Sequence, residues 1–384
     1  MKKVPFHRSY ISREEIRGVM QALRSGWLTM GPKTAEFEEN FRRYVGSKNA
    51  VAVSSCTAAL HLALEAVGLE EGDEVLVPAV TFTATAEVVC YFNARPVFVD
   101  VEQDTCNMDI RKVPEKITER TKAIIPVDYG GQPVDYDELR AIAEKYNISI
   151  IEDAAHTLPS SYKGRKVGTL SDFTCFSFYA TKTLSAGEGG MITTANDEWA
   201  DRIKVMRLHG MSKDAWKRYL GRGRWAYDVV DAGFKYNMTD IQAALGIAQL
   251  KKIDMMWFKR KEIAQRYNLA FRNIEEVIIP CVKEDRNTSW HLYVIKLCLE
   301  KLKIGRDEFI EKLADKGVSA SVHFIPLYRH TFYAEKYKCA KEDFPMSEWV
   351  FSRIVSLPIY PFMTHREIST VISAVESVIM ENRK

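Results

Sequence analysis

From Asn49 onward the chain alternates short, apolar, β-branched runs with longer amphipathic ones, and this alternation restricts the fold more than any other feature. NAVAVSS is followed by TAALHLALEAVG, EVLVPA by a helical run through Tyr91, and then come RPVFVD, KAIIPV, a helical run near Tyr136–Tyr146 and ISIIED. Strands interleaved with helices of this length predict an α/β domain with a mostly parallel sheet. Ahead of it, residues 11–25 have a helical rhythm, with Ser12 as N-cap, Ile16, Val19, Met20 and Leu23 on one face, and Gly26 as the stop. An extended WLTMGP stretch, which reads equally as plain connecting loop, leads into a helix carrying Phe37, Phe41 and Tyr44.

The composition removes several function classes. The 384 residues carry 54 basic and 51 acidic side chains, a net charge of +3 with no dense basic stripe, so nucleic acid is not expected as a partner. No run of 18 uncharged apolar residues occurs, and MKKVPFHRSY lacks the apolar region of a signal peptide; no membrane association and a soluble, cytoplasmic protein are expected. Seven cysteines, odd in number and widely spaced, with neither CxxC nor HExxH, read as reduced thiols and give no metal site.

In parallel sheets ligands collect at the carboxyl ends of strands. Three stretches stand at such ends. SSCTAAL places Ser54, Ser55 and Thr57 at a helix start whose free N–H groups favour an anion, although an ordinary N-cap by Ser55 or Thr57 reads as well. EDAAH places Asp153 after a strand, beside the small Ala154 and Ala155; a cap or turn role is the alternative. FTCFSFYATKTLSAGEGG delivers Lys182 from an aromatic-rich strand into a glycine-rich loop, with Ser177 preceding it. Its neighbours are apolar, small or hydroxylic, a setting in which an amine loses its proton and can form an imine. An anion-binding helix start, an acid and a desolvated lysine, in that order, are what pyridoxal phosphate requires for its phosphate, its ring nitrogen and its aldehyde.

SGWLTMGPK, SSCTAALHLAL, PAVTFTATA, IEDAAH, FSFYATKTLSAGEGG and GFKYNMTDIQAALG together resemble the DegT/DnrJ/StrS-type sugar aminotransferases, which are fold-type I pyridoxal phosphate enzymes, from about Arg8 to the C-terminus. The resemblance implies that Lys182 is catalytic and holds the cofactor as an imine, and that Asp153 pairs with the ring nitrogen. It also implies that Thr57, Ala58 and Ser177 hold the phosphate, that Phe82 stacks on the ring and that His156 lies beside the ring hydroxyl. Asn237 corresponds to an asparagine that reaches the phosphate of the neighbouring subunit, implying a homodimer with shared active sites; read locally, it precedes a helix begun by a Thr239/Gln242 capping box, with Ile241, Leu245 and Ala248 on its apolar face. Thr29, Gly31, His323 and His330 match the substrate side. Met30, Cys56, Tyr179 and Tyr328 depart from the commoner threonine, glycine, histidine and histidine of relatives.

After about Met255 charge density rises and the alternation is lost. A large cofactor-binding domain, 1–255, is therefore expected to be followed by a small α+β domain, 256–384, in which strand HLYVIKLCL, a helix over 306–316 and strand VSASVHFI form a helix-covered sheet. The resemblance implies amino transfer from L-glutamate to a nucleotide-linked keto sugar for amino-sugar or cell-surface polysaccharide synthesis. The stretch holding Arg222, Arg224, Trp225 and Tyr227 is most similar to relatives acting on UDP-linked 4-keto sugars, and its arginines read either as diphosphate ligands or as solvated loop charges. Sugar dehydratases of the same fold carry histidine in place of the imine lysine, and Lys182 is present; a non-catalytic cofactor-binding protein is the other alternative.

Overall fold

The computed structural model describes residues 3–212 and 227–384. Arg222, Arg224 and Trp225 lie outside the described residues; Tyr227 lies within them. Two helices come first, α1 (Arg13–Ser25) and α2 (Pro32–Val45), followed by β1 (Asn49–Val53), α3 (Cys56–Ala66), β2 (Glu74–Pro78), α4 (Ala84–Cys90) and β3 (Arg95–Val99). Next come β4 (Thr121–Ile124), α5 (Tyr136–Tyr146), β5 (Ser149–Asp153), the short β6 (Ser161–Tyr162) and β7 (Arg165–Lys166), β8 (Phe173–Ser177), β9 (Gly190–Thr194) and α6 (Asp197–Met206). Seven strands form one sheet in the order β1-β9-β8-β5-β4-β2-β3; β9 runs antiparallel to both neighbours and every other pairing is parallel. The carboxyl ends of β1, β5 and β8 therefore open on one side, and the three sequence stretches meet there.

Both sheet faces are covered, which is why β2 and β9 are buried at every residue. Phe37 and Phe41 of α2, Leu139 of α5 and Ala243 and Ile247 of α7 (Asp240–Leu250) pack on one face; α3, α4 and Ile203 of α6 pack on the other. The N-terminus of α2 has no side-chain cap of its own. Asp240 supplies one from α7, with Oδ1 accepting from the backbone N–H of Gly31 and Thr34 at 2.8 Å each and Oδ2 accepting from that of Lys33 at 2.9 Å. A carboxylate there complements the helix dipole and fixes the turn containing Thr29 and Gly31.

The Ser12 cap is present and is completed by Glu15 as a capping box, but α1 turns the other way from what its apolar stripe suggests. Ile16, Met20 and Leu23 are exposed, while Glu15 and Ala22 are buried and Gly18 abuts the backbone of Ala244 in α7. The stripe marks an apolar face but does not say what covers it. The Thr239/Gln242 box also forms; α7 is buried nearly all round, through Ala243, Ala244, Ile247 and Leu250 as well as Ala248, with Ile241 and Leu245 only half-buried.

The helix α8 (Ile253–Phe271) begins in the core of the large sheet, through Ile253 and Met256, and ends in a separate core, through Tyr267 and Phe271. That second core surrounds an antiparallel sheet of β10 (Val277–Ile278), β12 (Tyr293–Leu297) and β13 (Ile354–Leu357), packed by α9 (Arg306–Asp315) and the last helix. The strand β11 (Arg286–Asn287) pairs instead with β6. Three further helices follow: α10 (Thr331–Tyr337), α11 (Pro345–Phe351) and α12 (His365–Asn382). VSASVHFI is not a regular strand: Val318 bridges Val4 and Ser321 bridges Ser356, and between those two contacts the backbone leaves the sheet register. Among the described residues no helix is long and apolar enough to cross a membrane.

Candidate active site

A cavity of about 340 Å³ lies where β1, β5 and β8 end, within the size range of small-ligand sites. Thr57, Phe82, Asp153, His156, Ser177, Lys182 and His323 all line it. Each is held by local structure. Ser55 caps α3 by accepting from the Ala58 N–H at 3.0 Å, so the hydroxyls of Ser55, Thr57 and Ser177 surround a helix start. Gly190 lets the backbones close up at this point, since a Cβ there would lie 2.4 Å from the Ser55 carbonyl oxygen.

Asp153 is buried at the end of β5. Its Oδ2 accepts from Thr85 Oγ1 at 2.8 Å and its Oδ1 from the Ala155 N–H at 3.1 Å. Burial raises its pKa above the usual carboxylate range, opposed first by the Thr85 hydrogen bond. Lys182 sits in a loop closed by backbone bonds from Phe178 to Gly189 and from Ala186 to Phe178, 2.8 Å each. Burial pushes its amine down to about 8, against the pull of Asp153 and Cys56. An amine in that range has its unprotonated form at hand near neutral pH. The Cys56 thiol, raised well above its ordinary value by burial and then by Asp153, is neutral.

Three imidazoles share the cavity. His156 Nδ1 accepts from the Gly130 N–H at 3.3 Å, so its proton sits on Nε2. Its ring lies 4.5 Å from that of His291, centroid to centroid. Burial and then the charge of Lys182 hold His156 well below its ordinary pKa, and bring His323 down to about 4.

The other expected residues lie outside this cavity. Ala58 is buried behind the helix start. The backbone of Asn237 bridges Val53 at the end of β1, but its Nδ2 donates to the Met238 carbonyl and its buried Oδ1 has no partner among the described residues. Thr29 is exposed, Gly31 is the N-cap of α2, and His330 is exposed at the start of α10. Thr85 and His291 were not singled out from sequence. Thr85 stands within the VTFTATA stretch, but only the fold turns it toward Asp153; His291 is brought in from the segment before β12.

The residues fit pyridoxal phosphate. The helix start with three hydroxyls suits a phosphate, the buried and doubly bonded Asp153 suits a ring nitrogen, the aromatic face of Phe82, 58% exposed, suits a flat ring, and the amine of Lys182, brought to about 8, suits an aldehyde.

Comparisons with known proteins agree with this chemistry. The profile of the DegT/DnrJ/EryC1/StrS aminotransferase family matches residues 9–376. The uncharacterized protein MJ1066 of Methanocaldococcus jannaschii is 50% identical over 99% of this chain and 98% of its own. The spore coat polysaccharide biosynthesis protein SpsC of Bacillus subtilis is 46% identical over 98% and 97%. Among solved structures, Spr1654 of Streptococcus pneumoniae, described as a sugar aminotransferase, superposes in its PMP form with a TM-score of 0.93 at 35% identity, covering 98% of this chain and 99% of its own. Its PLP form superposes with a TM-score of 0.92 at 34% identity, covering 99% of each chain.

Proposed function

The chain belongs to the DegT/DnrJ/EryC1/StrS aminotransferase family, and from that premise we propose that it moves an amino group from L-glutamate to a nucleotide-linked keto sugar, with C4 of a UDP-sugar as the position aminated. That it is a sugar aminotransferase dependent on pyridoxal phosphate follows from the family and its solved relatives. The donor and the nucleotide are inferred from the resemblance of the sequence, and the polysaccharide setting is supported by SpsC.

One observation carries the reading. Lys182, its amine brought to about 8, shares a single cavity with the carboxylate of Asp153 and the start of α3. The cofactor supplies an aldehyde that condenses with amines and a ring that takes up electrons from the adjacent carbon. Lys182 would hold it, Thr57, Ala58 and Ser177 would bind its phosphate, and Phe82 would cover its ring. Asp153, oriented by Thr85 and Ala155, would hold the proton on the ring nitrogen by charge. His156, with Nε2 carrying its proton, would donate beside the ring hydroxyl. Once its amine is free, Lys182, with its pKa brought to about 8, would take the proton from Cα of the donor and hand it to the carbon that had carried the aldehyde. On the substrate side we assign Thr29, Gly31, His323 and His330.

We propose a homodimer with shared sites. The uncovered stripe of Ile16, Met20 and Leu23 supports it, as does the Asn237 side chain, which stands outside its own chain's cavity and would serve the neighbour's. We divide the chain into a larger unit, 1–255, and a smaller one, 256–384, because α8 passes from the core of the large sheet to the second core. All seven cysteines are free thiols, which fits a reducing compartment, and we place the enzyme in the cytoplasm on that ground.

The test is turnover of a panel of keto sugars with L-glutamate, read as 2-oxoglutarate release and as the mass and ring position of the amino sugar. Amination at C4 of a UDP-4-keto sugar is expected; exclusive turnover of another nucleotide, another ring position or another donor would overturn that part.

A further inference from the structure

We infer that Phe6 and Ser356 are positioning residues that orient the His323 imidazole for the sugar half of the reaction, which makes residues 4–9 a brace behind the substrate site. The inference rests on the reading that His323 faces the sugar. His323 is half-buried on the cavity lining. The Phe6 ring stacks on it at 5.4 Å and 22°, and Phe324 meets it edge-on at 5.0 Å. On the polar side Nδ1 lies 2.9 Å from Ser356 Oγ. Ser356 is itself fixed: it is fully buried in β13, and its backbone exchanges hydrogen bonds with Ser321 at 2.8 and 3.1 Å. With Nδ1 committed to Ser356, Nε2 is the ring nitrogen left for a ligand.

The segment that brings Phe6 is pinned on both sides. Val4 donates to the Gly317 carbonyl at 2.8 Å and accepts from Ser319, while the Ser9 hydroxyl donates to the carbonyl of Ala180 at 2.8 Å, two residues before Lys182. One stretch thus ties the Lys182 loop to the C-terminal core, with Phe6 laid over His323 between the two attachments. The groups facing His323 are Lys182, His156 and His291 in the cavity and Tyr129, whose hydroxyl donates to the His323 carbonyl; Asp153 and Glu188 line the same cavity. In an uncharged imidazole Nε2 can either donate to or accept from a sugar hydroxyl, according to which way the Ser356 bond runs, whereas the cation can only donate. Burial keeps His323 uncharged at working pH, and Phe6 is part of that burial.

The experiment uses the full-length holoenzyme and follows each half-reaction separately by absorbance. L-glutamate is added to the pyridoxal form, and a UDP-4-keto sugar to the pyridoxamine form. Phe6→Ala and Ser356→Ala are expected to lower kcat/KM of the sugar half by about tenfold or more, the loss of one hydrogen bond or its geometry, and to leave the glutamate half within about twofold. Phe6→Ala is further expected to make the sugar half lose rate at a higher pH than the wild type does, as the more exposed imidazole moves toward its ordinary pKa; Phe6→Tyr is expected to restore the wild-type profile. Equal losses in both halves, or no loss for either variant while His323→Gln impairs the sugar half, would overturn the positioning role. An unimpaired sugar half in His323→Gln would instead overturn the substrate assignment of His323 on which that role rests.

Discussion

Replacing Thr85 by valine isolates the support beneath Asp153. Thr85 is fully buried, and its hydroxyl lies 2.8 Å from Asp153 Oδ2 and 2.9 Å from Thr81 Oγ1. Valine keeps the branched shape and removes only the hydroxyl. A hydrogen bond to a charged, buried group contributes about 1.5–3 kcal/mol, which corresponds to roughly one to two units on the Asp153 pKa. Burial already raises that pKa, and the Thr85 bond is the largest influence opposing it. Without the bond Asp153 moves further toward neutrality and loses its hold on the ring proton. The glutamate half-reaction is therefore expected to slow by roughly 10- to 100-fold at pH 7, with the deficit largest at the acid end and shrinking as pH rises, because the unsupported carboxyl is the first to be protonated. Thr81 also loses a partner, at a cost of about 1 kcal/mol in stability. The assay is stopped-flow loss of the visible band on adding L-glutamate between pH 6 and 9, with Thr85→Ser, which keeps the hydroxyl, as the control. A valine variant with the rate and pH profile of the wild type would refute the reasoning, and so would a serine variant as slow as the valine one.

Two further outcomes concern stability. Glu15, on the buried face of α1, accepts from the Ser12 N–H and from Gln249 Nε2 at 2.7 Å each and pairs with Lys252; burial raises its pKa, but the hydrogen bonds from Lys252 and Ser12 outweigh that and hold it at about 2. A depressed carboxyl contributes stability that is present above its unfolded pKa and lost as pH falls through the folded one. Glu15→Gln should thus cost about 2–3 kcal/mol at pH 7, and the gap from wild type, read by urea unfolding, should close as pH falls toward 2; a gap independent of pH would contradict this. Asp128 and Glu152 form a buried acid pair, and burial and then the charge of Glu152 raise Asp128 well above the usual carboxylate range. A raised carboxyl destabilises as pH climbs from its unfolded value through its folded one. Asp128→Asn, which can keep the acceptor for the Val134 N–H at 2.9 Å and the Tyr136 hydroxyl at 3.0 Å, should gain on the wild type by roughly 1–2 kcal/mol as pH climbs above the ordinary carboxyl value; a variant that loses ground over that climb would refute the raised Asp128 carboxyl.

Much of the architecture could be read from the chain because each signal was local. The apolar runs gave β1, β2, β5 and β8 their places, Ser12 announced the start of α1 as its N-cap, and the Thr239/Gln242 pair announced that of α7 by side chains three residues apart. The site was legible where it hangs on strand ends, as Asp153 and Lys182 do. What remained hidden depends on the third dimension. The stripe of α1 could be seen, but its uncovered state depends on α7 offering the small Ala244 to Gly18 instead. VSASVHFI has the composition of a strand, yet bridges Val4 and Ser356 at single points. Thr85 reaches Asp153 through the packing of α4, His291 reaches the cavity from the segment before β12, and Phe6 reaches His323 through a segment whose sequence shows no regular period. Asn237, Thr29, Gly31 and His330 were named through resemblance, and in a single chain they stand apart from the cavity.

The central claim, that Lys182 holds the cofactor, is tested most directly by borohydride reduction of the holoenzyme followed by peptide mass mapping. A single phosphopyridoxyl adduct on the peptide containing Lys182, absent when L-glutamate is added before reduction, is the result predicted. An adduct on another lysine, or a Lys182→Ala variant that keeps both the visible band and turnover, would contradict it.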